Sequence, residues 1–257
     1  MESENSVERL GRNIFFLYPS NVIQTEIIDK LAQQEFEVYS IRNHKHFINV
    51  LEKFPYSIIL ADIDEPLPGG QWENFIRDIL AGPVTKTLDI GILSTSNNVE
   101  LRKKYLYTLK VSCGFIVIHS DLKQTLAQVI DILKAADAKG KRRYVRARPD
   151  SETMASLNIP CNGRFIYGTI KDLSIVGFSC TFDVDPLFEP DAHIDNIQMK
   201  LHGILLKADG ILFGSRMESN VKIYVILFTN RTSPSELIKV RRYIQVSLQA
   251  AMDKLLK

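Results

Sequence analysis

Two groups of side chains in this sequence have types and spacing suited to chemistry. The first is a basic run, Lys141-Arg142-Arg143-Tyr144-Val145-Arg146-Ala147-Arg148-Pro149, in which five of nine residues are basic and none is acidic. Within it Arg142 and Arg146 form an R-x-x-x-R motif, with Arg143 between them. A guanidinium is a planar fork of donors that binds phosphate bidentately and stacks on flat rings, so the run is a candidate anion site. The second group is Asp172-Leu173-Ser174-Ile175-Val176-Gly177, a D-x-S-x-x-G pattern at the end of a strand-like segment. There an ionised carboxylate accepts hydrogen bonds and serine adds a hydroxyl, while glycine admits a positive φ or the close approach of another group. The arginine pair alone says little, because basic clusters are common and mostly solvated. Both motifs in order, flanking the first strands of one β-rich region, are far more specific.

A further candidate is Asp62. It closes the apolar run Ser57-Ile58-Ile59-Leu60-Ala61 and is followed by Ile63-Asp64-Glu65-Pro66-Leu67-Pro68-Gly69-Gly70. Three other short apolar runs (Ile14–Tyr18, Ile90–Leu93 and Phe115–Ile118) and one alternating run (Phe36–Ser40) surround it in sequence. Between them lie helical patterns, such as Ile23, Ile27 and Leu31 four residues apart, and a last helix from about Leu122 with Gly140 as its expected cap. Strands alternating with helices predict a parallel sheet covered on both faces, and five such units predict a flavodoxin-like doubly wound domain. Folds of this kind place working residues at the carboxyl ends of their strands, where Asp62 stands.

The spacing Asp62, Pro66, Gly70 resembles the receiver domain of bacterial response regulators over residues 12–139. The resemblance implies that Asp62 is the phosphoacceptor, with acidic residues after the first strand to hold Mg²⁺. Here that place reads Leu17-Tyr18-Pro19-Ser20, with no acid. A hydroxyl after the fourth strand is present as Ser94 or Thr95, but the expected lysine after the fifth is replaced by Ile118 or His119. Asp64 and Glu65 lie beyond the strand end and do not rebuild the metal site. Asp62 is therefore read as a vestigial phosphoacceptor in a degenerate receiver used for docking or as a homodimer surface. Phosphorylation of Asp62 is the competing reading.

The C-terminal half is strand-like: Arg164–Ile170, Gly177–Phe182, Ile197–His202, Gly203–Leu206, Ile211–Phe213 and Val221–Phe228. Many short alternating strands predict an antiparallel barrel or sandwich. Ser233-Pro234-Ser235-Glu236 then offers an N-cap, a first-turn proline and a capping-box glutamate. Leu237, Val240, Ile244, Leu248, Ala251 and Leu255 make the apolar stripe of a terminal helix that packs on the barrel.

With both motifs in place, residues 151–257 and the basic linker 140–150 resemble the PilZ family. That family is a six-stranded antiparallel barrel with a C-terminal helix, and it binds cyclic di-GMP. The resemblance assigns ligand contacts to Arg142, Arg143, Arg146, Asp172, Ser174 and Gly177. The chemistry agrees, since guanidinium forks fit both phosphate and the O6/N7 edge of guanine. An ionised Asp172 complements the N1–H and N2–H₂ donors on guanine's other edge.

The 257 residues carry a net charge of only +2, so any nucleic-acid or membrane affinity must be local. The first apolar run is too short for a signal peptide or a membrane span, and Cys113, Cys161 and Cys180 show no metal or disulfide spacing. These readings predict a cytoplasmic protein. The acidic residues Asp183, Asp185, Glu189, Asp191 and Asp195 lack an EF-hand pattern and are read as a solvated loop. His44 and His46 lack zinc-ligand spacing, so no metal and no cofactor are expected beyond the ligand. No P-loop, Rossmann glycine motif, G-x-S-x-G or other catalytic constellation is present, which argues against an enzyme. The sequence thus predicts a receiver-like α/β domain and a PilZ-like barrel that together form a cyclic di-GMP effector acting on an unidentified downstream protein. Two readings compete with it: a ligand-free interaction scaffold, and a nucleic-acid-binding protein using the Lys141–Arg148 cluster.

Overall fold

The computed structural model describes residues 11–82, 87–140, 143–161 and 163–257. The chain divides into two compact units, Met1–Arg143 with Met252–Lys257, and Tyr144–Ala251.

The first unit is built on five parallel strands, β1 (Ile14–Leu17), β2 (Val38–Ile41), β3 (Ile58–Asp62), β4 (Asp89–Ser94) and β5 (Phe115–Val117), in the order β2-β1-β3-β4-β5. That is the flavodoxin-like order, with its switch point between β1 and β3. β1 and β3 are buried along their whole lengths, as strands covered on both faces must be. Helices α1 (Asn21–Ile23) and α2 (Asp29–Gln33) are joined by a π turn at Gln24–Ile28, and α3 (His44–Leu51) and α4 (Trp72–Ala81) follow β2 and β3. Next, α5 (Val99–Lys103) runs into a second π turn at Lys104–Thr108, and α6 (Leu122–Ala135) follows β5. Ile23, Ile27 and Leu31 are all fully buried, in one cluster with Phe16, Leu60, Val129 and Leu133. Each such side chain contributes roughly 1.5–3 kcal/mol by leaving water.

α6 ends earlier than the glycine suggested. Ala138 N–H donates to Leu133 O at 2.9 Å and Asp137 N–H to Lys134 O at 3.0 Å, with Asp137 at φ 49°. This is a Schellman stop with an aspartate in the left-handed position. Gly140 lies beyond it.

In the second unit β7 (Ala155–Cys161), β8 (Arg164–Ser174), β9 (Gly177–Phe182), β10 (His193–Leu201), β11 (Ile204–Glu218) and β12 (Val221–Phe228) close a six-stranded antiparallel barrel. The order is β8-β7-β10-β11-β12-β9, and the β8–β9 pairing closes it. A two-residue strand, β6 (Arg146–Ala147), adds to β8. The boundary between the units thus falls inside the 140–150 segment, and part of that segment is a strand of the second sheet. The terminal helix α7 (Pro234–Leu255) packs Val240, Tyr243 and Ile244 into the barrel core. Glu236 N–H donates to Ser233 Oγ at 3.3 Å, which is one half of the expected capping box. The Glu236 carboxylate turns instead to Lys207 N at 3.2 Å and Lys239 Nζ at 2.9 Å.

Two strands differ from the sequence expectation. β7 is absent from the strands expected of the sequence, and it contains Pro160, a residue that weakens a strand pattern. Its pairing to β10 covers only Ala155–Asn158, and Pro160 stands opposite Phe165 of β8 near the end of the strand. β11 is continuous from Ile204 to Glu218, where the sequence expectation gives two separate segments, Gly203–Leu206 and Ile211–Phe213. A Cβ on Gly210 would stand 2.5 Å from Ile226 Cγ2, so this glycine marks a close approach inside the barrel. Among the described residues no helix is long and apolar enough to cross a membrane, and all three cysteines are free.

Candidate ligand-binding site

The site in the second unit begins with a fault in β8. Gly168 and Ile170 face the barrel interior and Thr169 faces out, so strict alternation would point Asp172 inward. The β8–β9 register shifts after Ile170: Ile170 pairs with Cys180, but Asp172 pairs with Ser179. Lys171 is the extra residue of a β-bulge, and the phase flips there. Leu173 becomes the buried residue and the Asp172 side chain is 25% exposed. Bulges re-aim side chains in this way, and no periodicity in the sequence announces this one.

β6 brings the second motif to the first. Ala147 is fully buried in the barrel core and anchors the strand. Arg146 pairs with Ser174, and its half-exposed guanidinium lies with Nη1 3.8 Å from Asp172 Oδ1. So loose and exposed an ion pair contributes at most about 1 kcal/mol. Arg143 is exposed at a bend three positions earlier, and Arg142 lies outside the described residues.

Ser174 and Gly177 bracket the two-residue turn between β8 and β9. The Ser174 hydroxyl donates to Gly177 O at 3.0 Å, and Ser174 is only 4% exposed. Gly177 is not in the left-handed region. A Cβ there would sit 2.3 Å from Ile226 O and 2.9 Å from Leu227 Cα, so the glycine is required by the close approach of β12. The structure therefore brings Arg146, Asp172, Ser174 and Gly177 together but divides their work. Arg146 and Asp172 present polar groups outward, while Ser174 and Gly177 shape the turn that carries them. One residue absent from both motifs belongs with them. Ser179, 3% exposed, donates its hydroxyl to Asp172 Oδ2. Its cross-strand position depends on the bulge, which hid it from sequence reading.

In the first unit Asp62 lies at the carboxyl end of β3, 1% exposed. Ser20 N–H donates to its Oδ2 at 3.0 Å, and its Oδ1 has no hydrogen-bond partner among the described residues. Burial pushes its carboxyl above the usual range. The Ser20 bonds oppose this; the charge of the nearby Asp64 adds to it, while the Asp64 backbone opposes it. Asp64 is committed as well: its Oδ1 accepts the Ser94 hydroxyl at 2.6 Å and its Oδ2 accepts Thr95 N–H at 2.6 Å. Three of the four carboxylate oxygens here thus satisfy the protein's own donors. Where the receiver resemblance needs acids, Tyr18 sits at φ 49° with its hydroxyl 2.8 Å from His44 Nδ1. Trp72 and Phe75 stack edge-on around that pair. Burial raises the Tyr18 phenol and lowers the His44 imidazole. Of Ile118 and His119, the two residues that stand where the resemblance expects the lysine, His119 has a ring nitrogen 3.4 Å from Gln128 Nε2. This donor set does not fit Mg²⁺, which takes oxygens in near-octahedral array.

Asp183, Asp185, Glu189, Asp191 and Asp195 are all exposed, as expected of a solvated stretch, and two of them have side-chain partners. Asp185 accepts the Tyr224 hydroxyl and pairs with Lys222 at 3.1 Å, which lowers its carboxyl to about 2, the tyrosine bond being the main cause. Asp195 pairs with Arg231 at 3.0 Å.

No family model and no curated protein matches the chain. Solved structures of two kinds are similar to it. The PilZ domain of YcgR from Escherichia coli with c-di-GMP is 16% identical with a TM-score of 0.38, covering 44% of this chain and 96% of that one. The K. pneumonia MrkH–c-di-GMP complex is 19% identical with a TM-score of 0.41, covering 44% and 55%. The chemotaxis response regulator CheY4 of Vibrio cholerae is 15% identical with a TM-score of 0.41, covering 48% and 99%. The receiver-like fold of the first unit rests on its strand order, and the PilZ-like fold of the second on barrel closure and the terminal helix.

Proposed function

We propose that this chain is a cyclic di-GMP-binding effector that works by binding and not by catalysis. The observation that carries the reading is the β6–β8 pairing, which sets Arg146 beside Asp172 on the outside of the barrel. An exposed guanidinium serves a phosphate or the O6/N7 edge of guanine. A carboxylate partly open to the barrel's outer face serves the donor edge of guanine. A ligand with two guanines and two phosphates on one small ring uses both at once, and Arg143 adds a further cation nearby in the chain. The ligand then alters what the protein offers a downstream partner.

Calorimetry of the full chain with cyclic di-GMP, and with GTP as control, tests this. We expect binding at micromolar concentration or tighter, about −8 kcal/mol or better. Absence of heat at tens of micromolar nucleotide defeats the reading and favours a ligand-free scaffold. Equal affinity for any polyanion, falling steeply with salt, favours a nucleic-acid patch.

A further inference from the structure

We infer that Ser179 is a positioning residue that sets the guanine preference of this site, an inference that rests on the cyclic di-GMP reading above. Ser179 belongs to neither motif. It stands directly opposite Asp172 in the β8–β9 ladder, is 3% exposed, and gives its hydroxyl proton to Asp172 Oδ2.

A carboxylate attached through an sp³–sp² torsion swings broadly about that bond. A donor held by the neighbouring strand fixes its plane. The carboxylate has about four lone-pair positions, so one bond from Ser179 leaves acceptors on both oxygens. The guanine edge carries N1–H and N2–H₂ side by side and needs two coplanar acceptors. Adenine offers a lone pair at N1 in the same place, against which a fixed carboxylate is repulsive. A carboxylate free to swing turns away from adenine and discriminates less. Ser179 also restrains Asp172 from closing on Arg146. The 3.8 Å separation is well outside the roughly 2.7–2.9 Å of a tight charge-assisted bond, so the guanidinium stays available for the ligand.

The test compares wild type, Ser179→Ala and Ser179→Thr as full-length protein, titrated with cyclic di-GMP and with cyclic di-AMP, with thermal melting of each. Ser179→Ala should bind cyclic di-GMP about tenfold more weakly, the size expected for losing a hydrogen bond to a charged group. Its preference for cyclic di-GMP over cyclic di-AMP should fall by a similar factor, and Ser179→Thr, which keeps the hydroxyl, should restore both. Wild-type affinity and preference in Ser179→Ala overturns the inference. So does an equal loss for both dinucleotides with no rescue by threonine, which marks a purely structural role. A wild-type protein that binds no cyclic di-GMP removes the functional reading itself, before the variants are compared.

Discussion

Arg146 pairs with Ser174 across the β6–β8 ladder, in register with Ala147 against Leu173. Ala147 is fully buried, so the barrel core holds the strand in place while the arginine beside it stays half exposed. Core packing thereby fixes the backbone that carries an outward-facing arginine. Arg146→Ala should consequently leave the barrel folded and weaken cyclic di-GMP binding by about 2–4 kcal/mol, as loss of a charge-assisted contact to a multiply charged ligand. Asp172→Ala should also weaken binding, with little change in salt dependence, whereas Arg146→Ala should flatten the salt slope. Calorimetry at two salt concentrations separates them. Wild-type binding by both variants places the site elsewhere.

Gly177→Ala should act on stability before it acts on binding. The added Cβ would meet Ile226 O at 2.3 Å and Leu227 Cα at 2.9 Å, both backbone atoms that cannot swing aside. Overpacking of this kind is worth about 1–3 kcal/mol of lost stability, and β12 must move to accommodate it. Chemical denaturation of the variant should show the loss without any ligand. Unchanged stability together with lost binding would mean that the glycine serves the ligand directly.

The outline of both units was legible because it rests on periodicity. The buried runs at Ile14, Ile58, Ile90 and Phe115 and the Ile23–Ile27–Leu31 face read directly as strands and helix. The candidate site was legible only as a pair of motifs. That Asp172 faces outward depends on the Lys171 bulge, and a bulge is a mismatch between two strands with no signature in either one alone. For the same reason Ser179 could not be paired with Asp172 in advance. The aromatic plug at Tyr18, His44 and Trp72 was equally hidden, since its members come from three separate segments. The missing acids after β1 were visible, but what fills their place was not.

Asp62→Asn should stabilise the protein at neutral pH. Burial raises the Asp62 carboxyl above its ordinary value of 3.8, so the native state holds that proton more tightly than the unfolded chain does. Stability from this group is complete below the ordinary value and is lost as pH rises through the raised one. Asparagine carries no charge and escapes the loss, although its amide takes over the unpartnered Oδ1 position. The expected gain is on the order of 1 kcal/mol at pH 7, shrinking toward nothing near pH 4. Denaturant midpoints of both proteins across that range check it. A gain that does not depend on pH would point to packing instead of charge.

Small phosphodonors should leave Asp62 unmodified. Three of the four oxygens of Asp62 and Asp64 are bonded to Ser20, Ser94 and Thr95, and Tyr18 and Pro19 bring no acid to hold Mg²⁺. Without that charge neutralisation a phosphoryl group meets the buried Asp62 carboxylate beside the charge of Asp64, with little to offset them. Intact-protein mass spectrometry after treatment with acetyl phosphate should show no labile adduct. An adduct present in wild type and absent in Asp62→Asn would restore the receiver chemistry.

Cyclic di-GMP should also change the arrangement of the two units. The basic run from Lys141 to Pro149 spans the boundary between them, and five cations within nine residues repel one another except where a carboxylate such as Asp172 offsets one. Two phosphates neutralise that repulsion, and because Arg146 already lies beside Asp172, any change in arrangement must come from residues nearer the boundary, such as Arg143. A ligand with more contacts in one arrangement has the differential affinity that a population shift requires. About 1.4 kcal/mol of such preference changes the ratio of two states tenfold. Small-angle scattering of the full chain at saturating ligand should therefore show a changed radius of gyration. The Arg143→Ala variant should show a smaller change under the same conditions. Superimposable curves with and without ligand would leave binding intact and refute the switch.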